Sequence, residues 1–287
     1  MPELPEVQTT VDGLNKTVRG RRITAVRTTY DSPFYKKREE IKNPAFFKTF
    51  QKKVVGQEII KAERRAKNIL IHLSGGDTII VHMKMTGHFV YDRADYPHVR
   101  LAFTLDNGKI LSFSDLRKFA KVALAPTAGV HDSIHLKGLG PEPLEDSFNY
   151  PAFKARLMMR PKGKVKQVLM DPYVVAGIGN IYSDEILWRS CVHPLSVVEK
   201  IPEKNMKDMF KATKELLKEG IDFGGDSTSD YKNIEGEAGK FQARHQAYRR
   251  TKKPCGKRGC PGTITRLVIG TRSAHFCPVH QVLYGKK

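Results

Sequence analysis

What this 287-residue sequence lacks narrows it first. No run of about 18 apolar residues occurs, so no membrane-spanning helix is expected. No basic stretch followed by an apolar one opens the chain, so no secretory leader is expected and the default compartment is the cytoplasm. No amphipathic basic helix stands out, which weighs against a lipid surface as partner. Internal repeats and low-complexity tracts are absent too. Acids are scarce beside bases: 30 Asp+Glu stand against 50 Lys+Arg, a formal charge of +20. An excess of that size implies a polyanionic partner, most often nucleic acid, yet says nothing about base chemistry or sequence preference. Cysteine is scarce as well, with 4 in the chain. Cys191 falls alone in a stretch of helical spacing and reads as core. The other three crowd toward the C-terminus with a histidine nearby, an odd-numbered cluster that argues for a metal over disulfides.

What is present divides by period. Hydrophobic residues make up 40%, enough for real cores, and the length suggests two domains. NILIHLSGGDTIIVHMKMTGHFVY (68–91) and RLAFTLDNGKILSFSD (100–115) are β-rich runs punctuated by Gly-Gly and Asp-Asn-Gly turns. A helix is expected near Pro5, with Val7, Val11 and Leu14 on one face. GLGPEPLEDSFNYP (138–151) has the composition of a connection. Beyond it the spacing turns helical, with stops at Pro and Gly. GGDSTSDYKNIEGEAGK (224–240) is polar, glycine-rich and nearly without large apolar groups, which suggests a mobile loop. The expected layout is a β-rich domain over 1–137, a linker over 138–151, a helical domain over 152–245 containing the 224–240 loop, and a hairpin over 246–287. The fold class is α+β.

Several constellations carry chemistry. Pro2 follows the initiator Met and is flanked by Glu3 and Glu6. With Met1 removed, Pro2 becomes a secondary amine with an α-amino pKa of roughly 8, partly unprotonated and nucleophilic at working pH. Taken alone, a stiff chain end is the commoner meaning of such a proline. Cys255-x4-Cys260 and Cys277-x2-His280 are separated by sixteen residues that read as two strands turning at Gly270. Two close pairs of such ligands on a hairpin suit tetrahedral zinc, although the first gap is wider than usual; His275 and His245 are spare ligands. Arg266 and Arg272 on that hairpin could reach phosphates. GIGNIYSDEILW (177–188) places two glycines and Asn180 at a helix start, which suits either an anion or ordinary capping. Arg64, Arg65 and Lys67 precede a strand; Arg160, Lys162, Lys164 and Lys166 form a second basic run, mostly read as solvated surface or phosphate neighbours. Met85, in a turn-like context, and Phe119, beside Arg117, are apolar tips near cations. They fit either core packing or a wedge into a base stack.

Together these pieces resemble the formamidopyrimidine-DNA glycosylases of the Fpg/Nei family. MPELPEV, RRAKNIL, HMKMTG, DLRKF, GLGPEPL, LMDPYVVAGIGNIYSDEILW, IDFGG and the terminal hairpin occur in the family's order and span essentially the whole chain. The resemblance implies an N-terminal β-sandwich flanked by helices, then a helix–two-turn–helix domain carrying a zinc β-hairpin, with DNA across the cleft. It implies a monomer acting on double-stranded DNA that contains damaged or abasic sites, held in the cytoplasm on the nucleoid, with one structural zinc and no other cofactor. Base-excision repair with both glycosylase and abasic-site lyase activity follows from it. Pro2 would attack C1′ and form a Schiff base, Glu3 would assist ring opening, and Glu6 would support. Lys67 would contact phosphate and assist catalysis. Met85, Arg117 and Phe119 would fill the gap left by an extruded base. His98, Lys118, Lys162 and Asn180 would contact DNA, and Arg272 would grip phosphates and assist the second elimination. Cys255, Cys260, Cys277 and His280 would hold the zinc. The 224–240 loop would cover the flipped base.

The motif details favour the oxidised-purine branch, meaning 8-oxoguanine and ring-opened formamidopyrimidines. Rival readings are a Nei-like oxidised-pyrimidine enzyme, a damaged-DNA binder without catalysis, and a zinc-hairpin RNA or ribosome binder. The sequence also departs from the family pattern. Lys118 stands where an Arg is common, which weakens a bidentate grip. Tyr96 replaces a DNA-contacting His, Lys240 stands where an aromatic is common, and the metal hairpin has a wide first gap and a terminal His in place of four cysteines.

Overall fold

The computed structural model describes residues 1–30, 38–93 and 95–285. They form two compact units: Met1–Gly138 with Phe223–Lys240, and Leu139–Asp222 with Phe241–Lys287. No helix among the described residues is long and apolar enough to cross a membrane.

The first unit opens with helix α1 (Leu4–Thr17), which has Pro5 in its first turn, where a missing N–H leaves no bond unmade. Its apolar stripe of Val7, Val11 and Leu14 is buried, as the spacing predicts. Strand β1 (Ile23–Thr28) follows, then α2 (Pro44–Val54), whose cap Asn43 accepts from the Ala45 N–H at 3.1 Å. Next come β2 (Ile59–Arg65), β3 (Asn68–Leu73), β4 (Asp77–His82), β5 (His88–Tyr91), β6 (Val99–Leu105), β7 (Ile110–Ser114) and β8 (Lys121–Pro126). They form two four-stranded sheets, ordered β1-β6-β7-β5 and β2-β3-β4-β8, with antiparallel pairing throughout. β3 is buried at every position because it is a central strand in the sandwich. Ile69, Ile71, Ile79 and Val81 from one sheet share a core with Phe103, Leu111 and Phe113 from the other and with α1.

The 224–240 segment is not the loosely held loop that its composition suggests. Ile234 is 1% exposed and belongs to this core. Its carbonyl accepts the Tyr91 N–H at 2.8 Å, which attaches the segment to the edge of β5.

The second unit is helical: α3 (Tyr150–Leu157), α4 (Val165–Met170), α5 (Asn180–Arg189) and α6 (Glu203–Asp222). Asn149 caps α3 by accepting the Ala152 N–H at 3.0 Å, and Pro151 lies in the first turn. Strands β9 (Thr265–Ile269) and β10 (Arg272–Phe276) form the expected antiparallel hairpin around Gly270. Cys191 is half-buried and lies just past α5, in a left-handed conformation (φ 59°), not in the helix. It could not continue α5 with that backbone.

Candidate active site and metal centre

The amino end of the first unit is an acid-lined pocket. Pro2 is buried, and Glu3 and Glu6 are 2% and 1% exposed. Glu6 sits at the third position of α1, so one oxygen reaches back to accept the Glu3 N–H at 2.6 Å. Its other oxygen accepts the Asp226 N–H at 2.8 Å. That second bond needs the 223–240 segment to pass very close. Gly225 makes this possible: its φ is +86°, and a Cβ there would stand 3.0 Å from Glu6 Cγ.

Burial, then the neighbouring Glu3 charge, pushes the Glu6 carboxyl up to about 7 against the pull of those two amides. The chain-terminal amine on Met1 is pushed down, chiefly by burial and also by Lys67, while Glu3, Glu6 and Asp226 oppose the shift. The amine, Glu3, Glu6 and Lys67 therefore share one electrostatic neighbourhood. Lys67 is in the turn joining β2 and β3, beside Ala66, whose φ of 54° is left-handed.

Strand register assembles a second group at one end of the sandwich. Asn68 pairs with His82, and His82 pairs with Lys121. The Lys67 turn, the Met83–Gly87 turn and the Asp115–Ala120 turn thus emerge at the same edge. Met85 is half-buried in its turn. Phe119 is 50% exposed, and the Arg117 guanidinium lies 4.7 Å from its ring centroid, a cation–π contact. The Arg117 N–H donates to Thr86 Oγ1 at 3.1 Å, which ties the two turns together. Lys118 is exposed with φ 57°; His98 is exposed with φ 58°, just ahead of β6. Tyr96 places its hydroxyl 3.0 Å from His88 Nε2.

His82 was not singled out by sequence reasoning. Its Nδ1 accepts the Lys84 N–H at 3.1 Å, which fixes Lys84 in its left-handed conformation (φ 55°). Burial first, then Lys84, Lys67 and Lys121, pushes its pKa down to about 3, so the ring stays neutral among three lysines.

In the second unit Lys162 is exposed between α3 and α4, and Arg272 is exposed at the start of β10. Arg272 lines a cavity of about 150 Å³ with Lys166, Gln167 and Met170 of α4. Asn180 is the first residue of α5 and Gly179 is the cap, so ordinary capping does not explain Asn180. Its Oδ1 is buried with no hydrogen-bond partner among the described residues.

Lys166 departs from the surface reading of its basic run. Its side chain is 1% exposed, and Nζ lies 2.5 Å from Asp184 Oδ1. The other oxygen of Asp184 accepts the backbone N–H of His275 at 3.0 Å and faces His275 Nδ1 at 2.9 Å. Glu185, next in sequence, accepts the N–H groups of Gln246, Ala247 and Tyr248 at 2.8 to 2.9 Å. The sequence signal for these anchors was limited to the consecutive acids Asp184 and Glu185 within the otherwise mostly apolar stretch IYSDEILW; the structure shows that helix buried at almost every position.

Cys255, Cys260, Cys277 and His280 bring one ligand atom each to within 4.8 Å of one another. His280 Nδ1 faces the Cys255 sulfur at 3.2 Å, and its Nε2 lies 3.1 Å from the Trp188 carbonyl. An Nε2–H donated to that carbonyl fixes the tautomer and leaves Nδ1 available as a ligand. Gly262 is required by close approach: a Cβ there would be 2.5 Å from Cys277 Sγ. The ring of His275 is turned to Asp184, and His245 stacks edge-on against Phe241 and Tyr248, so neither spare histidine joins the cluster. Three sulfurs and one nitrogen in this arrangement can hold one metal ion.

The sandwich, the helical unit and the Cys/His hairpin together define a helix–two-turn–helix protein with a buried proline at position 2. Residues 1–122 match the model of the formamidopyrimidine-DNA glycosylase N-terminal domain, and residues 139–232 match that family's H2TH domain. A formamidopyrimidine-DNA glycosylase of Herpetosiphon aurantiacus is 38% identical over 284 residues, covering 98% of this chain and 100% of the relative. That of Bacillus subtilis is 35% identical over 280 residues, covering 96% and 98%. Lactococcus lactis Fpg in complex with DNA containing an abasic site superposes with a TM-score of 0.86 at 30% identity, covering 97% of this chain and 99% of that one. MutM bound to DNA containing carbocyclic 8-oxo-G gives 0.84 at 30% identity, covering 96% and 98%. The chain belongs to the formamidopyrimidine-DNA glycosylase family.

Proposed function

We propose that this protein is a base-excision repair DNA glycosylase and abasic-site lyase that removes oxidised purines from duplex DNA through a Schiff base at Pro2. The observation that carries this reading is a buried Pro2 held next to two buried carboxylates, Glu3 and Glu6, with Glu6 accepting the Glu3 N–H at 2.6 Å. The family's relatives and the solved complexes with lesion-containing DNA support the choice of substrate.

The chemistry follows from the residues. Removal of Met1 gives Pro2 a secondary amine, and the burial of Pro2 would disfavour its charged form and leave an unprotonated nucleophile. The nitrogen attacks C1′ of an everted nucleotide, the C1′–base bond breaks, and the base departs with a proton. Glu3 protonates the sugar ring oxygen as the C1′–O4′ bond opens, which leaves an iminium between Pro2 and C1′. The cationic iminium acidifies the C2′ proton; its loss expels the 3′-oxygen, and a second proton loss expels the 5′-oxygen. Glu6, raised to about 7, retains a proton over much of the neutral range and holds Glu3 in place. Lys67 grips a phosphate beside the reacting sugar.

Eversion costs a few kcal/mol of stacking, and Met85, Arg117 and Phe119 offset part of it by filling the vacated space. Lys162, Asn180, His98 and Lys118 contact the backbone, and Arg272 holds phosphates beside the lesion. Zinc on Cys255, Cys260, Cys277 and His280 would hold the β9–β10 hairpin in its folded form.

The test is borohydride trapping on a duplex with an abasic site, using protein whose mass shows Met1 removed. A covalent adduct is expected with the natural chain and none with Pro2→Gly. An equally strong adduct in the Pro2→Gly variant, or in protein that retains Met1, would end this reading. Excision rates on duplexes carrying 8-oxoguanine, a formamidopyrimidine or an oxidised pyrimidine then rank the lesions, with the purines expected to lead.

A further inference from the structure

Both wedge turns converge on one buried carboxylate. Asp115 is 0% exposed. Its Oδ1 accepts the Thr86 hydroxyl at 2.6 Å, from the residue after Met85. Its Oδ2 accepts the Tyr30 hydroxyl at 2.7 Å and the Ala120 N–H at 2.9 Å, from the residue after Phe119. Thr86 Oγ1 in turn accepts the Arg117 N–H at 3.1 Å. The backbone of Asp115 adds three more links: its N–H donates to the His98 carbonyl at 3.0 Å, and its carbonyl accepts the Lys118 N–H at 3.4 Å and the Arg100 Nε–H at 3.2 Å.

Stability alone is a poor account of this arrangement. Each turn could satisfy its own amides locally with a capping Ser or Asn, and burying a carboxylate carries a desolvation penalty that neutral donors only partly offset. Burial and the Asp115 charge raise the Tyr30 hydroxyl far above its ordinary value, so it remains a donor at any working pH. The two turns also hold left-handed lysines, Lys84 and Lys118, conformations that persist only where surrounding bonds over-determine them.

We propose that Asp115 is a positioning residue that, through Thr86, Tyr30 and the Ala120 amide, holds the Met85 turn and the Arg117–Phe119 turn in a fixed mutual geometry so that the three tips enter the base stack as one rigid wedge. This rests on the wedge role given to those tips above. Because the wedge acts only where a stack must be filled, Asp115 should matter for a paired lesion and not for one whose opposite nucleotide is missing.

The experiment compares borohydride trapping rates on two abasic duplexes, one with an intact opposite strand and one with a single-nucleotide gap opposite the abasic site. Tyr30→Phe and Thr86→Val each delete one hydrogen bond to Asp115, Asp115→Asn weakens all of them, and Thr86→Ser restores the hydroxyl. On the intact duplex the first three should trap at least about tenfold more slowly, equivalent to ~1.4 kcal/mol of barrier, while on the gapped duplex they stay within about threefold of the natural chain. Thr86→Ser should behave as the natural chain on both. If Asp115→Asn does not fold, the Tyr30 and Thr86 variants carry the comparison, with melting temperatures measured alongside. Equal losses on both duplexes, or no loss on the intact one, overturn the proposal. A natural chain that traps on neither duplex overturns the catalytic reading itself, a distinct result.

Discussion

Asp115 in one unit and Asp184 in the other are buried junctions whose side chains are satisfied in opposite ways. Asp115 in the first unit receives two hydroxyls and a backbone amide on its side chain. Asp184 in the second is paired with the ammonium of Lys166 and with His275. Neutral donors spread over several loops give a carboxylate that aims those loops, and losing one donor leaves the others in place. An ion pair away from water is closer to all-or-none, because removing one member leaves an uncompensated buried charge. The same residue type therefore serves as a pointing device in one unit and as a rivet in the other, where it fastens α4 and α5 to β10.

That contrast can be broken or sharpened by experiment. The largest effect should come from stripping the metal proposed for the Cys255, Cys260, Cys277 and His280 cluster. Structural zinc is worth about 10–16 kcal/mol of apparent binding energy in small fingers. A chelator should erase hydrogen-exchange protection in the β9–β10 hairpin and leave β3 and β4 protected; simultaneous loss in both would contradict the independence of the two junctions.

Next in size is Lys166→Met, which should cost about 3–5 kcal/mol in urea unfolding, with much of that recovered when Asp184→Leu is added. A single variant as stable as the natural chain would mean the pair is not a rivet.

Two pH effects in the first unit should follow, each on the order of a few kcal/mol. His82 has its pKa lowered from 6.5 to about 3, so the unfolded chain binds the extra proton. Its stabilising contribution is present above about pH 6.5 and is lost as pH falls. Glu6 is raised from 4.5 to about 7, so its contribution is present below 4.5 and is lost as pH rises through about 7. His82→Gln should flatten the acid limb of the stability curve and Glu6→Gln the neutral limb; unchanged limbs would refute these assignments.

Smallest is Tyr30→Phe, expected to lower stability by about 1 kcal/mol, since one neutral bond of several is lost. A cost equal to that of Lys166→Met would erase the distinction between the junctions.

The two ends of the chain were the easier parts to read from sequence because their local structure rests on local rules. Proline in the first turn, the Asp-Asn-Gly turn, and ligand pairs at short spacing all act within a few residues. The hairpin around Gly270 and the Cys/His cluster followed from that spacing. The junctions did not, because their partners are distant in sequence: Glu6 meets Asp226 across 220 positions, and Asp184 meets His275 across 91. Lys166 was hidden by its neighbours, since three further cations within six residues made the run look solvated. Composition also misjudged the 224–240 segment, in which one isoleucine is enough to tether a polar stretch to a core.

The left-handed lysines at 84 and 118 carry a consequence for how this chain can vary. Backbone shape at those two positions excludes β-branched residues and disfavours most others by roughly 1 kcal/mol or more, while glycine and asparagine fit without strain. A substitution table scoring by charge would rank arginine as the mildest change and glycine as a harsh one. The torsion angles reverse that ranking for stability, so drift toward a flexible, uncharged turn is the easy path. Glycine at either site would ease the backbone but loosen the tip that the proposed wedge needs to hold stiff.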